Sequence, residues 1–216
     1  MEKIKAVLFD FDGTLMNTNN LILSSWNHCY QSLGLETPSD EYIGASFGEP
    51  LSETMAREFP DRDTEDMVNV YRDYQRRIFR GRVEMFDGMA DLVRGLRERG
   101  YSVGIVTSRL WSSTNRGVYN FDISDTVDVV VSAEDIDEHK PHPEGLLKAA
   151  AKLGIEPCEA IYVGDSRFDM ECAKNAGMKS VLVGWSVSLP EHARTGAYRP
   201  DYVIETPAEL YALLEV

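Results

Sequence analysis

The hydrophobic and polar positions of the chain follow two different patterns, one typical of a buried strand and one typical of helices. Residues 6–9 are apolar at every position, which is typical of a strand buried on both faces of a parallel sheet. Between residues 16 and 84 the apolar positions recur at helical spacing, as in Ile22, Trp26 and Cys29, and strand patterns are nearly absent. This part of the chain therefore predicts an all-helical segment inserted after the first strand.

After residue 88, short apolar runs alternate with stretches of helical length. The predicted strands are residues 101–107, 127–132, 160–163, 180–184 and 202–204, and the predicted helices are residues 89–99, 112–119, 143–153, 166–176 and 207–214. This alternation indicates βαβ units, so we expect an α/β fold with a Rossmann-like, doubly wound parallel sheet and an inserted all-helical domain. The predicted boundaries are 1–15 and 85–216 for the α/β domain and 16–84 for the insert.

Inside the insert, residues 41–50 contain two glycines and a proline, so we expect a turn or loop there. Residues 51–59 and 64–79 are predicted helices. The insert shows no chemical motif of its own, and its aromatic and methionine side chains are expected to form its core.

The composition limits the kinds of partner that the protein is expected to bind. The 216 residues include 22 Lys and Arg against 36 Asp and Glu, a formal net charge of −14, which disfavours nucleic acid and anionic membranes. The three cysteines show no metal-ligand spacing, no signal peptide is recognisable, and no apolar run is long enough for a membrane span. We therefore expect a cytoplasmic protein with no nucleic-acid or membrane partner; the oligomeric state is left open.

Polar side chains of a particular kind stand at the ends of the predicted strands or in the loops beyond them. They are Asp10 and Asp12, Thr107 and Ser108, Lys140, and Asp165 with Asp169. Because the carboxyl ends of parallel strands share one edge of a sheet, we expect these residues to meet there. Four carboxylates need a cation to offset their repulsion, and oxygen ligands without His or Cys suit Mg²⁺. The remaining ammonium and hydroxyl donors suit a phosphoryl group.

Each motif also has a purely structural interpretation. An Asp followed by Gly is a common turn, and a lone lysine is usually a surface residue. Pro141 favours extended backbone at Lys140, however, which indicates a lysine held on a stiff loop. The spacing Ser166-x-x-Asp169 is a plain helix capping box, so Asp169 can serve structure and function together.

Four segments together resemble the haloacid dehalogenase-like hydrolase superfamily. They are residues 9–15 (FDFDGTL), 106–108 (VTS), 140–144 (KPHPE) and 164–169 (GDSRFD), in that order along the chain. The helical insert after the first segment is similar to the cap domain of that family. The chain most resembles the phosphoglycolate phosphatase and pyrophosphatase subgroup, which implies a small phosphorylated metabolite as substrate.

The resemblance and the chemistry of the residues agree on the roles. Asp10 is expected to attack phosphorus and form an aspartyl-phosphate, and Asp12 to act as general acid and then general base. Thr107, Ser108 and Lys140 are expected to bind the phosphoryl group, Lys140 also acting as a catalytic cation.

The resemblance further implies a set of Mg²⁺ ligands. These are Asp10, the main-chain carbonyl of Asp12, and Asp165, with Asp169 behind them holding a metal-bound water or Lys140. The residues expected to choose the leaving group are Asn17, Asn20, Ser46 and Arg109.

Several alternatives remain at this point. A sugar-phosphate mutase of the β-phosphoglucomutase type shares the motifs and differs in how its cap keeps water from the phosphoryl group. A haloacid dehalogenase would not need Asp12 or the metal. A phospho-accepting signalling module also surrounds Mg²⁺ with acidic residues and a lysine, but its acceptor lies mid-chain and it lacks the insert. A catalytically silent binding protein would not need the full set of motifs.

Overall fold

The chain folds around one parallel sheet, as seen in a computed structural model that describes residues 3–185 and 199–215. Its strands are β1 (Ala6–Phe9), β4 (Ser102–Val106), β5 (Val129–Val131), β6 (Ala160–Gly164), β7 (Lys179–Val183) and β8 (Tyr202–Ile204). They lie in the order β5-β4-β1-β6-β7-β8, and every neighbouring pair is parallel. The first strand is therefore central and the chain winds outward in both directions, which is the doubly wound arrangement that the sequence predicts.

Helices cover both faces of the sheet. The helices of this domain are α5 (Met89–Glu98), α6 (Trp111–Asn120), α7 (Glu144–Leu153), α8 (Arg167–Ala176) and α9 (Glu209–Leu214). Successive residues of β1 point to opposite faces: Val7 and Phe9 join one hydrophobic core, while Ala6 and Leu8 join the other. This double burial explains why the first strand is apolar at every position.

The inserted segment forms a helical domain with its own core. Its helices are α1 (Asn19–Ser32), α2 (Asp40–Gly44), α3 (Leu51–Glu58) and α4 (Thr64–Ile78). Trp26 packs between Phe59 and Tyr71, with ring centroids 6.3 and 5.6 Å away, and Met55 is fully buried beside them. The aromatic and methionine residues thus form a core, as predicted, and we refer to this domain as the cap.

The prediction of a loop over residues 41–50 was wrong at its start, where α2 forms a short helix. The Ser39 hydroxyl accepts a hydrogen bond from the Tyr42 amide (3.2 Å), and two acidic residues occupy the first turn. Both features stabilise a helix start, and together they offset the glycines that follow. The predicted strand over residues 127–132 is also shorter than expected, at Val129–Val131.

A two-stranded antiparallel ribbon joins the cap to the sheet domain, and the sequence gives no sign of it. Its strands are β2 (Met16–Asn17) and β3 (Glu84–Met85), with Met16 opposite Met85 and Asn17 opposite Glu84. Strands of two residues are too short for a hydrophobic pattern to indicate them. The ribbon lies at the predicted domain boundaries, whose exact positions stay a prediction.

In the parts of the chain that the structure describes, no helix combines the length and the apolar character that crossing a membrane requires.

Candidate active site

Strand register brings the predicted site residues to one edge of the sheet. Phe9, the last residue of β1, pairs with Ile105 of β4 on one side and with Val163 of β6 on the other. The Asp10 amide extends this pattern by donating to the Val163 carbonyl (2.8 Å). The residues after all three strands therefore emerge together, and they line one cavity of about 390 Å³ between the sheet domain and the cap.

A buried lysine links two aspartates at the floor of the cavity. Lys140 Nζ donates to Asp10 Oδ1 (2.6 Å) and to Asp169 Oδ1 (2.8 Å). Tyr162 donates its hydroxyl to Asp169 Oδ1 (3.0 Å) and lies beneath the ammonium, 5.2 Å from the ring centroid to Nζ. These contacts hold the Lys140 side chain in one orientation toward Asp10.

Asp169 serves the structure as well as the site. Its Oδ2 accepts from the Ser166 amide (3.0 Å) and hydroxyl (2.6 Å), which completes the capping box of α8. Gly164 makes room for it, since a Cβ on that residue would lie 2.4 Å from Asp169 Cβ. The Asp169 side chain therefore caps α8 and contacts Lys140 at the same time, as both interpretations of the sequence require.

The electrostatics of the floor show an excess of negative charge. Burial raises the pKa of Asp10 well above its ordinary value; Lys140 opposes this effect, and Asp169 and Asp165 add to it. Burial would lower the pKa of Lys140, but Asp10 and Asp169 outweigh it and raise that pKa. A further cation at this floor would lower the pKa of Asp10 and favour its ionised form.

The acidic residues are placed to hold such a cation. One carboxylate oxygen each from Asp10, Asp165 and Asp169 lie within 4.8 Å of one another, and all three residues are buried. The set is composed of oxygen donors, which fits a hard divalent ion. Asp12 contributes no carboxylate to this cluster, and the expected role of its main-chain carbonyl as a metal ligand stays a prediction.

The Asp12 carboxylate is instead held by Arg109. The guanidinium donates through Nη2 to Asp12 Oδ1 (2.7 Å) and through Nε to Oδ2 (3.0 Å). Burial would raise the pKa of Asp12, but the charge and hydrogen bonds of Arg109 outweigh it and lower that pKa. The third nitrogen, Nη1, donates to Ser113 Oγ (2.6 Å) and to Gln75 Oε1 of the cap (3.2 Å). Arg109 thus connects the predicted general acid to the cap.

The remaining predicted residues fall into two groups. Thr107, Ser108 and Ser46 line the cavity, and Thr107 Oγ1 accepts a hydrogen bond from the Arg109 amide (3.1 Å). Asn17 and Asn20 do not line it: Asn17 lies in the ribbon, and Asn20 is exposed on α1. Their neighbour Asn19 lines the cavity instead. The functional roles of all these residues stay predictions.

The cap reaches the edge of the sheet through the loop that contains Ser46. Gly48 has a φ of +87°, and a Cβ there would lie 3.0 Å from both Phe168 Cδ2 and Ser166 Oγ. Only glycine allows this close approach without strain or displacement. The contact brings the cap next to Ser166, the residue after Asp165.

Sequence reasoning missed one residue beneath the site and one set of cavity residues. Tyr162 is hidden in the apolar run of β6, where a tyrosine is indistinguishable from a core residue. The cavity residues lie on α4 and are Asn69, Tyr71, Arg72, Gln75 and Arg76. Their spacing places them along one side of the helix, but a solvent-exposed side has the same spacing, so only packing could reveal the cavity.

Comparisons with known proteins agree with this geometry. The model of the family described as haloacid dehalogenase-like hydrolase matches residues 7–183. Pyrophosphatase PpaX of Bacillus mycoides is 36% identical over 216 residues, covering 98% of this chain and 97% of that protein. Pyrophosphatase PpaX of Halalkalibacterium halodurans is 34% identical over 214 residues, covering 99% and 98%.

Solved structures share the fold. A haloacid dehalogenase-like family hydrolase from Streptococcus pneumoniae superposes with a TM-score of 0.86 at 25% identity, covering 97% of this chain and 98% of that one. A protein described as a predicted phosphoglycolate phosphatase from Haemophilus somnus superposes with a TM-score of 0.83 at 22% identity, covering 99% of each chain.

Proposed function

Because this chain belongs to the haloacid dehalogenase-like hydrolases and is a phosphatase of that type, we propose that it hydrolyses a small phosphorylated metabolite through an aspartyl-phosphate, with Mg²⁺ as cofactor. The observation that carries the proposal is the buried cluster at the end of β1. There Asp10 Oδ1 lies 2.6 Å from Lys140 Nζ. Carboxylate oxygens of Asp10, Asp165 and Asp169 lie within 4.8 Å of one another, close enough to share a metal ion.

The metal site would use Asp10, Asp165 and the main-chain carbonyl of Asp12. A divalent ion there supplies charge neutralisation for the phosphoryl group and for the crowded carboxylates. Asp169 lies behind this set, where it orients Lys140.

In the first step, a carboxylate oxygen of Asp10 forms a bond to phosphorus while the bond from phosphorus to the leaving oxygen breaks. Asp12 gives its proton to that oxygen, so the oxygen leaves as a hydroxyl group and does not carry a full negative charge. Lys140, held between Asp10 and Asp169, stabilises the charge that develops on the phosphoryl oxygens.

In the second step, water attacks the phosphorus of the aspartyl-phosphate. Asp12 accepts a proton from this water as the new bond forms and the bond between Asp10 and phosphorus breaks. The step releases phosphate and returns Asp10 as a carboxylate and Asp12 in its protonated form. The cap over the cavity would limit entry to small molecules or exposed phosphates.

Phosphoglycolate, pyrophosphate and sugar phosphates are the candidate substrates. Pyrophosphate stands first, because the relatives at 34–36% identity over nearly the whole chain are named pyrophosphatases. The cysteine content fits a reducing compartment, so a cytoplasmic location stays part of this proposal.

The proposal is tested by measuring phosphate release from about a hundred phosphorylated metabolites, with kcat/KM determined for each active one. We expect turnover with Mg²⁺ and none after the divalent metal is removed by a chelator, with recovery when Mg²⁺ is added back. Isomerisation of a sugar phosphate without release of phosphate would instead identify a mutase. A phosphoprotein that outlives the turnover time by far would identify a signalling module.

A further inference from the structure

The wall of the cavity formed by α4 carries positive charge that the proposed chemistry does not use. Arg72 and Arg76 both line the cavity from this helix. Met67 and Val68 of the same helix are buried in the core of the cap, and Tyr71 both joins that core and lines the cavity. With Met67 and Val68 packed into the core, α4 presents the two arginines to the cavity.

Arg72 makes no salt bridge within the described parts of the chain. It is half-buried, and none of the carboxylates described there lies within salt-bridge distance of its guanidinium. Burial lowers its pKa, and the more distant carboxylate of Glu134 opposes this effect without outweighing it. Arg76 contacts only Asp73, in an exposed ion pair that a ligand can replace at little cost.

The one acidic residue that the cap contributes to the cavity is already neutralised. Glu49 Oε2 lies 2.7 Å from Arg57 Nη1, and its Oε1 lies 3.9 Å from Arg167 Nη2. Neither of these arginines lines the cavity. The cap wall consequently presents Arg72, which makes no salt bridge, and Arg76, whose only ion pair is exposed to solvent, in a protein whose formal net charge is −14.

The charges on the opposite wall of the cavity can balance without these two arginines, which are therefore available to bind another anionic group. The four aspartates of the site carry two more charges than Lys140 and Arg109 together, and one divalent ion cancels that difference. The transferred phosphoryl group then meets Lys140, the metal and the hydroxyl donors. A second anionic group on the substrate would find no further positive charge on that wall to neutralise it.

A chain of contacts places the arginines on the side of the leaving group. Asp12, the proposed proton donor to the leaving oxygen, is bound by Arg109, and Arg109 Nη1 donates to Gln75 Oε1 at 3.2 Å. Arg72 lies one helical turn before Gln75, and Arg76 directly follows it. The leaving group, once its oxygen reaches Asp12, therefore extends toward these residues.

We propose that Arg72 and Arg76 form a second anion-binding subsite, so that the substrate carries a second anionic group next to the phosphoryl group that is transferred. The inference rests on the proposed phosphatase function and specifies its substrate class. The shared chemistry is a phosphate or carboxylate on the leaving group, as in pyrophosphate or phosphoglycolate. An uncharged leaving group would leave Arg72 partly buried and unpaired.

The test compares Arg72→Gln, Arg76→Gln and the double variant with Arg77→Gln. Arg77 lies on the same helix but outside the cavity, so its variant changes the net charge equally. The substrates are pyrophosphate, phosphoglycolate and p-nitrophenyl phosphate, whose leaving group lacks a second anion at the start of the reaction. We expect Arg72→Gln to lower kcat/KM for the better of the first two by about tenfold or more, through KM, since a charge-assisted hydrogen bond is lost.

For p-nitrophenyl phosphate the same variant should change kcat/KM by less than about twofold, and Arg77→Gln should leave all three values unchanged. The double variant should lose more than either single variant, and Arg72→Lys should retain part of the discrimination. Equal losses on all three substrates, or no loss on any, would overturn the subsite. The more affected of pyrophosphate and phosphoglycolate identifies the second anion as phosphate or carboxylate.

A binding measurement separates the subsite from the proposed reaction. Calorimetric titration with imidodiphosphate and with inorganic phosphate, both in the presence of Mg²⁺, needs no turnover. The wild-type protein should bind imidodiphosphate at least about tenfold more tightly, and the double variant should lose this preference. An unchanged preference in the double variant would refute the subsite even if the enzyme is an active phosphatase. Loss of the preference would support the subsite even if turnover is absent.

Discussion

The two walls of the cavity differ in how their charged groups are held. On the sheet wall, Asp10, Lys140 and Asp169 are buried and bonded to one another at 2.6 and 2.8 Å. On the cap wall, Arg72 is half-buried without a carboxylate partner among the described residues, and Arg76 has only an exposed one. The groups proposed for bond breaking are thus held in place by their neighbours before substrate binds. For the groups proposed for recognition, the substrate itself would supply the missing negative charge.

The difference follows from the elements that carry the residues. Asp10 and Asp165 directly follow β1 and β6, strands whose side chains are buried throughout, so the backbone there cannot shift without disturbing the core. The arginines extend from α4 of the cap, a domain that is joined to the sheet by a short ribbon. We expect variants of the sheet wall to affect catalysis itself and variants of the cap wall to affect the choice of substrate.

The largest effect is expected for Asp10→Asn. The amide cannot form the aspartyl-phosphate, so turnover of every substrate should fall by about a factor of 10⁴ or more. The fold should persist, because Asn has the same shape and removes one charge from a crowded acidic cluster. Turnover is followed by phosphate release, and folding by the thermal transition; a folded variant that retains appreciable activity would remove Asp10 as the nucleophile.

Lys140→Met should have the next largest effect, and on stability as well as on rate. Removing the cation leaves two buried carboxylates facing each other, which should cost about 3 kcal/mol of unfolding free energy. Loss of its electrostatic stabilisation should lower kcat by about 10²–10³. Denaturant unfolding and steady-state kinetics measure the two effects.

Lys148→Met provides the control for this variant, because Lys148 lies half-exposed on α7 with Glu144 3.8 Å away. It should change neither quantity measurably. A Lys140 variant as stable as the Lys148 variant would contradict the buried triad as a structural unit.

Arg109→Gln tests the link between the walls and should have a smaller effect. Arg109 lowers the pKa of Asp12, so its removal raises that pKa. As a general acid, Asp12 works only below its pKa, so the alkaline limb of the profile of kcat/KM against pH should move to higher pH. The plateau of kcat/KM on the acid side of this limb should fall by about tenfold, since the two charge-assisted hydrogen bonds that orient Asp12 are lost. A lower kcat/KM with an unmoved alkaline limb would contradict the assignment of Asp12 as the acid.

The fold and the sheet wall were largely predictable from the sequence, for a physical reason. A strand that is apolar on both faces must be buried, and alternation with helices makes neighbouring strands parallel. Polar residues directly after such strands, including Asp10, Thr107 and Asp165, can therefore emerge only at one edge. Asp169 was predictable as well, because the capping box fixes its position one turn into α8.

The cap wall was not predictable in this way. Arg72 and Arg76 have the spacing of any exposed helix face, and the sequence contains no signal for what that face meets. Asn20 was expected among the residues that choose the leaving group, yet Asn19 lines the cavity and Asn20 is exposed. The two-residue strands of the ribbon are equally invisible, because they lack a pattern.

The sheet, its alternation with helices and the polar residues at one of its edges could be predicted along the chain, because periodicity and backbone connectivity act over a few residues. The contacts of Tyr162 and Asp169 that hold Lys140 beside Asp10, the binding of Asp12 by Arg109, and the position of the cap arginines at the same cavity are visible only in the folded molecule. Those contacts join residues far apart in the chain, and they depend on how two separately packed cores meet.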